Sequence, residues 1–248
     1  MISKDELKEY AKIRGLNLGQ AERDYFQNIL LFILYQHYGR SLIFKGGTAL
    51  SKCYGSSRFS EDLDFTCLET FNTNIIRKGL ERFRVEFEIK TKEYEVGMKI
   101  ILYIKGPLYT GIRYTLCRIV IDVSLRENVI LSPVIKTIGR FMEEIPEFDV
   151  FVMQEKEILA EKIRAILTRS KARDIYDLWF LLRRGVEFDL EVIKKKLEYY
   201  DMRWDRRKFI EAVRIKSEIW NTELKPLIRL IPKLSEVKKL IYEKIVPE

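Results

Sequence analysis

The 248 residues allow one large domain or two modest ones, and an apolar content of 47% supplies a sizeable core. A charged fraction of 33% and a net charge of +8 point to a densely ion-paired surface that attracts polyanions, nucleic acid foremost. Three widely spaced cysteines, Cys53, Cys67 and Cys117, make neither a zinc-type pair nor an even disulfide set. No apolar run approaches the roughly 20 residues of a membrane span, and Met1-Ile2-Ser3-Lys4-Asp5 opens no signal segment. A cytoplasmic protein with free thiols and no membrane partner is expected.

In chain order, the first 40 residues read as helix, with Phe26, Ile29, Leu30, Ile33 and Leu34 at helical spacing and Gly39 as a stop. A short apolar strand over 41–44 runs into Lys45-Gly46-Gly47-Thr48, and Thr48 is placed to cap a helix over 49–54. Asp62-Leu63-Asp64-Phe65 alternates as a strand, and a helix follows around 74–83. Between about 85 and 125 the pattern is β, with strands over Met98 to Ile104 and Tyr114 to Val123 broken by Gly106-Pro107. From Gln154 onward every segment reads as helix: a pair around 155–183, then stretches near 189–200, 205–220 and 234–245. The expected class is α+β, a mixed sheet with flanking helices over 1–150 and a helical domain over 151–248 that completes the site.

Chemistry concentrates at a few positions. Gly46-Gly47, between strand and helix, lets backbone approach a ligand and offers helix-start N–H groups to a phosphate, although neither the P-loop nor the dinucleotide spacing is present. Asp62 and Asp64 stand at i and i+2 on a strand, so their carboxylates share a face and call for a cation; magnesium takes such oxygen donors together with substrate phosphates. Asp122 closes an apolar strand and supplies a third acid, as two-metal phosphoryl transfer requires. Lys162, Arg169 and Arg173, at steps of seven and then four residues, are expected on one helical face, with Asp174 beginning the next helix and Asp177 one turn on. Each feature alone has an ordinary reading as a turn, an edge-strand acid or a charged helix. Their combination is what points to chemistry.

Lys45-Gly46-Gly47-Thr48-Ala49-Leu50 followed by Arg58-Phe59-Ser60-Glu61-Asp62-Leu63-Asp64-Phe65 resembles the signature of the AbiEii/AbiGii-type toxins. Glu161-Lys162-Ile163-Arg164 and Lys171-Ala172-Arg173-Asp174 are similar to that family's later motifs, with Arg173 where many members carry Lys. The resemblance implies a nucleotidyltransferase fold and transfer of a nucleoside monophosphate from an NTP to a target, which in characterised relatives can be the 3′ end of tRNA. It implies magnesium on Asp62, Asp64 and Asp122, and catalytic roles for these acids with Lys162 on the triphosphate and Asp174 orienting it or assisting proton transfer. The nucleotide is expected on Gly46, Gly47, Thr48, Arg58, Ser60, Arg169 and Arg173, and a cognate antitoxin is expected to be encoded nearby. The competing functions are a nucleotidyltransferase acting on a small molecule and a catalytically silent nucleic-acid-binding module of the same fold.

Other residues are assigned ordinary roles. His37, the single histidine, ends a helix and supports no nucleophilic triad. Trp179, Trp204 and Trp220 are expected in the core, and Lys194-Lys195-Lys196 on a solvated helix face.

Overall fold

The computed structural model describes residues 1–125, 128–139 and 145–245. They form two compact units: the first comprises 1–53, 61–128 and 134–152, the second 54–60, 129–133 and 153–248.

The first unit opens with α1 (Lys4–Arg14) and α2 (Leu18–Tyr38), each begun by a reciprocal capping box, Ser3 with Glu6 and Asn17 with Gln20. Gly15 ends α1 in the left-handed conformation that favours glycine. The strands are β1 (Leu42–Lys45), β2 (Leu63–Cys67), β3 (Phe87–Tyr94), β4 (Gly97–Ile104), β5 (Cys117–Ser124), β6 (Val134–Ile138) and β7 (Phe148–Val152). Between them lie α3 (Gly46–Tyr54) and α4 (Asn74–Arg82). The seven strands make one mixed sheet ordered β3-β4-β5-β2-β1-β7-β6, with β2–β5 and β1–β7 parallel and the other neighbours antiparallel.

Burial follows position in that order. Leu42, Ile43 and Phe44 of β1 are fully buried, as the unbroken apolar run of a central strand requires. Edge strand β3 is charged and largely exposed, which blunts pairing with another chain. The long helix α2 packs on β5 and β7, giving Phe26, Leu30 and Leu34 to the core.

The second unit holds α5 (Glu155–Thr168), α6 (Ala172–Arg183), α7 (Leu190–Glu198), α8 (Arg206–Lys216), α9 (Trp220–Leu224) and α10 (Leu234–Ile245). Helix α5 is its centre, packing on α6, α7 and α8. Ile158, Leu159, Ile163 and Ile166 form its buried apolar face, with Leu167 at the margin.

Several local expectations change. Helix α3 begins at Gly46, directly after β1, so Thr48 lies inside its first turn and does not cap it. The Thr48 hydroxyl instead donates to the Asp62 carbonyl. Residues 113–115 form a short 3-10 turn before β5, and the stretch expected as one helix over 205–220 breaks at 217–219. Strands β6 and β7 occupy a region to which the sequence assigned no element. Among the described residues no helix is long and apolar enough to cross a membrane.

Candidate active site

The acids of the first unit are organised by strand register. Lys45 of β1 is opposite Asp64 of β2, Asp64 is opposite Asp122 of β5, Asp122 is opposite Lys99 of β4, and Lys99 is opposite Lys92 of β3. Register partners on adjacent strands project from the same face. One row of five charged residues therefore crosses the sheet, with two acids between lysines. Exposure grades along it, from Lys45 at 7% to Lys99 and Asp122 with side chains 39% and 38% exposed.

Gly46 adjoins this row and has two reasons to be glycine. Its φ of +75° lies in the left-handed region. A Cβ built there would sit 2.1 Å from Asp64 Oδ2 and 2.7 Å from its Cγ, so the carboxyl group occupies the space a side chain would need. The glycine thus brings the start of α3 against the Asp64 carboxylate. In the first turn of a helix, backbone N–H groups have no partner within the helix and can receive an anion.

The segment leading into β2 is held from three sides. Gln27 Nε2 donates to the Glu61 carbonyl at 3.0 Å, Arg23 binds the Glu61 carboxylate, and Thr48 binds the Asp62 carbonyl. Arg23 Nε also donates to the Arg118 carbonyl at 3.1 Å, tying α2 to β5. Helix α3 is itself anchored through Lys52, whose Nζ lies 2.5 Å from Asp24 Oδ1 and 2.7 Å from Asn28 Oδ1. Burial pulls the Lys52 pKa down against the attraction of Asp24. Asp62 and Asp64 are half-buried, and the row ends at Asp122, whose Oδ1 is 3.2 Å from Lys99 Nζ.

Among the described residues no three His, Cys, Asp or Glu side chains are gathered as a ready metal cage. The expected gathering of Asp62, Asp64 and Asp122 is not preformed. Magnesium does not require it: the ion is ordinarily held by one or two carboxylates together with substrate phosphates and water. The donors present, hard oxygens of half-buried acids beside a helix start, fit that chemistry.

The remaining expected site residues belong to the second unit, where Arg58, Lys162, Arg169 and Asp174 join Asp177 in a chain of alternating charge around two buried acids. Arg58 grips Asp177 with two parallel hydrogen bonds, Nε to Oδ1 and NH2 to Oδ2, both 2.9 Å. Lys162 Nζ bridges Asp177 Oδ2 at 2.7 Å and Asp174 Oδ1 at 3.1 Å. Arg169 closes the chain on Asp174, Nε to Oδ2 and NH2 to Oδ1, both 2.8 Å.

Burial opposes ionisation of Asp174 and Asp177. Lys162 and Arg169 outweigh it at Asp174, Arg58 and Lys162 outweigh it at Asp177, and both carboxyls are held below the usual carboxylate range.

Lys162, Arg169 and Arg173 do not share a helical face. Lys162 lies within α5, Arg169 is the residue that ends it, and Arg173 sits in the first turn of α6. Arg169 reaches Asp174 because the chain turns between the two helices. Arg173 is half-buried and makes no ion pair among the described residues, while its N–H donates to Glu223 Oε2 at 3.2 Å. Ser60 is half-buried in the segment 54–60.

The solvated face expected for Lys194-Lys195-Lys196 is corrected at its last member. Lys196 is fully buried, with Nζ 2.8 Å from Glu157 Oε1 and 3.2 Å from Glu161 Oε1. Glu157 also accepts the backbone N–H groups of Ile130 and Leu131, at 2.9 and 2.8 Å. Trp220 is buried as expected, whereas Trp179 and Trp204 are only half-buried.

The residues that sequence reasoning passed over are Lys45 and Lys99. For Lys99 a signal existed: it is the one charged residue in the apolar strand Met98 to Ile104.

Comparison with known proteins agrees with this architecture. A protein of Aquifex aeolicus with no assigned function is 23% identical over 205 residues, 82% of this chain and 78% of that one. Among solved structures, MenT4, a nucleotidyltransferase toxin from Mycobacterium tuberculosis, superposes with a TM-score of 0.69 at 18% identity, over 100% of this chain and 91% of that one. JHP933 from Helicobacter pylori gives 0.60 at 19% identity, over 90% and 88% of the two chains. These likenesses concern the fold. Residues 30–241 match the family described as the nucleotidyl transferase AbiEii toxin of type IV toxin–antitoxin systems. With its sheet, its glycine turn and its acidic strands in place, the chain belongs to the AbiEii nucleotidyltransferase toxins.

Proposed function

We propose that the protein transfers a nucleoside monophosphate from a magnesium–NTP complex to an RNA acceptor, tRNA foremost, releasing pyrophosphate. The observation that carries this reading is the Asp64–Asp122 register on adjacent strands, with Gly46 bringing the start of α3 against the Asp64 carboxylate. Asp62 and Asp64, joined by Asp122, would hold magnesium, which when bound neutralises triphosphate charge and lowers the pKa of the attacking hydroxyl. The first-turn N–H groups at Gly47 and Thr48 orient phosphate oxygens. An acceptor hydroxyl then attacks the α-phosphorus and releases its proton to water, the bond from that phosphorus to the oxygen bridging to the β-phosphate breaks, and pyrophosphate leaves with the bonding electrons.

Charge supports a polyanionic acceptor. The second unit carries 24 Lys and Arg against 17 Asp and Glu, +7 of the +8 of the whole chain. Cytoplasm, where NTPs and tRNA are found, is the proposed setting, and membership of a type IV toxin–antitoxin family leads us to propose a neighbouring antitoxin gene. The test is incubation of the purified protein with magnesium, each labelled NTP in turn and total RNA. Label is expected on RNA from wild type and not from Asp64→Asn. Equal labelling by both proteins, or label appearing only on small molecules, would overturn the proposal.

A further inference from the structure

The third acid of the row already has a partner. Lys99 Nζ lies 3.2 Å from Asp122 Oδ1, and this is the only ion pair of Lys99 among the described residues. Both side chains are more than a third exposed, so the pair is weak and opens readily. Asp122 has a like charge, Asp64, as its register neighbour on the other side. A cation on Asp122 relieves that repulsion when no metal ion is bound.

We propose that Lys99 is a positioning residue, a resident counter-ion that competes with the divalent ion for Asp122. In this arrangement Asp62 and Asp64 hold the ion first, and Asp122 joins them only as Lys99 lets go. This accounts for three acids, Asp62 and Asp64 two residues apart and Asp122 the register neighbour of Asp64, that are not gathered as a cage. The proposal rests on the reading of Asp62 and Asp64 as metal-holding acids.

The experiment measures Mn2+ affinity of the full chain by electron paramagnetic resonance, without nucleotide. It compares wild type, Asp64→Asn, Lys99→Met, Lys99→Arg, Asp122→Asn and the Lys99→Met/Asp122→Asn double variant. Lys99 lies on the sheet surface, and circular dichroism checks that each variant is folded. Lys99→Met is expected to bind Mn2+ about three- to tenfold more tightly, because a competing positive charge beside the ion is gone. Lys99→Arg, which keeps the charge, is expected to match wild type. The gain from Lys99→Met should vanish in the Asp122→Asn background, as a double-mutant cycle reads for two groups acting together.

Unchanged or weaker Mn2+ binding by Lys99→Met overturns the proposal. So does a gain that persists in full without the Asp122 carboxylate, since it would then be general electrostatics. Failure of the underlying reading has a separate signature: no Mn2+ binding by wild type, or binding untouched by Asp64→Asn, removes the acidic site and the proposal with it.

Discussion

The two units use charge in opposite ways. The first has 21 Lys and Arg against 20 Asp and Glu, nearly neutral, yet its central acids stand half-exposed in a row across a sheet face. The second carries almost all of the net positive charge, but its Asp174 and Asp177 are sealed among Arg58, Lys162 and Arg169. Exposed acids remain free to change partners. Buried ones are committed to the partners they have, because removing either side strands a charge away from water. The difference separates acids open to solvent from acids whose counter-charges are already in place.

The sharpest way to break this comparison is to delete one link of the buried chain. Asp177→Ala leaves Arg58 and Lys162 without a shared counter-charge, and a loss of about 3–5 kcal/mol in unfolding free energy is expected from chemical denaturation. A loss under about 1 kcal/mol would mean that the second unit tolerates charge rearrangement as the first does.

Next comes the glycine of the first unit. Gly46→Ala places a methyl group in the space of the Asp64 carboxyl at a left-handed backbone position, and transfer activity should fall about 100-fold, the scale of a 1 Å misplacement. Its stability cost, about 1–3 kcal/mol, should be too small to explain that fall under native conditions. Activity within a few-fold of wild type would show that the carboxylate position is not critical.

Acid tests the same contrast more gently. Asp174 and Asp177 have folded pKa values below their unfolded values near 3.8, so the stability they contribute is fully present above that value. It is lost as pH falls from about 4 downward. Denaturation midpoints for wild type should be flat in this respect above pH 5 and drop below 4, and Asp177→Asn should shed part of that slope. An identical slope in the variant would assign acid sensitivity to other carboxylates.

The smallest effect is expected at the edge of the buried chain. Arg169 is half-exposed and Asp174 keeps Lys162 without it, so Arg169→Met should cost about 1 kcal/mol or less. A cost like that of Asp177→Ala would extend the committed interior further out than the burial pattern indicates.

What the sequence displayed was local. The alternation of Asp62-Leu63-Asp64-Phe65, the glycine pair after an apolar strand and the helix pair around 155–183 are all short-range patterns, and each gave an element close to the observed one. Strand partnership is not local. Nothing within residues 97–104 or 117–124 says that Lys99 and Asp122 stand side by side, and Arg58 meets Asp177 across 119 residues. The one-face expectation for Lys162, Arg169 and Arg173 failed because helical periodicity was carried through a turn. Strands β6 and β7 escaped notice because five-residue segments give little room for a period to declare itself.

The burial of Lys196 beside two exposed neighbours has a practical side. An amine-acylating reagent meets three consecutive lysines in the unfolded chain, but in the native protein only Lys194 and Lys195 offer their amines to solvent. Acylation at Lys196, resolved by mass spectrometry against the adjacent positions, therefore becomes an internal clock for opening of the helical unit, with its own reference built into the same peptide.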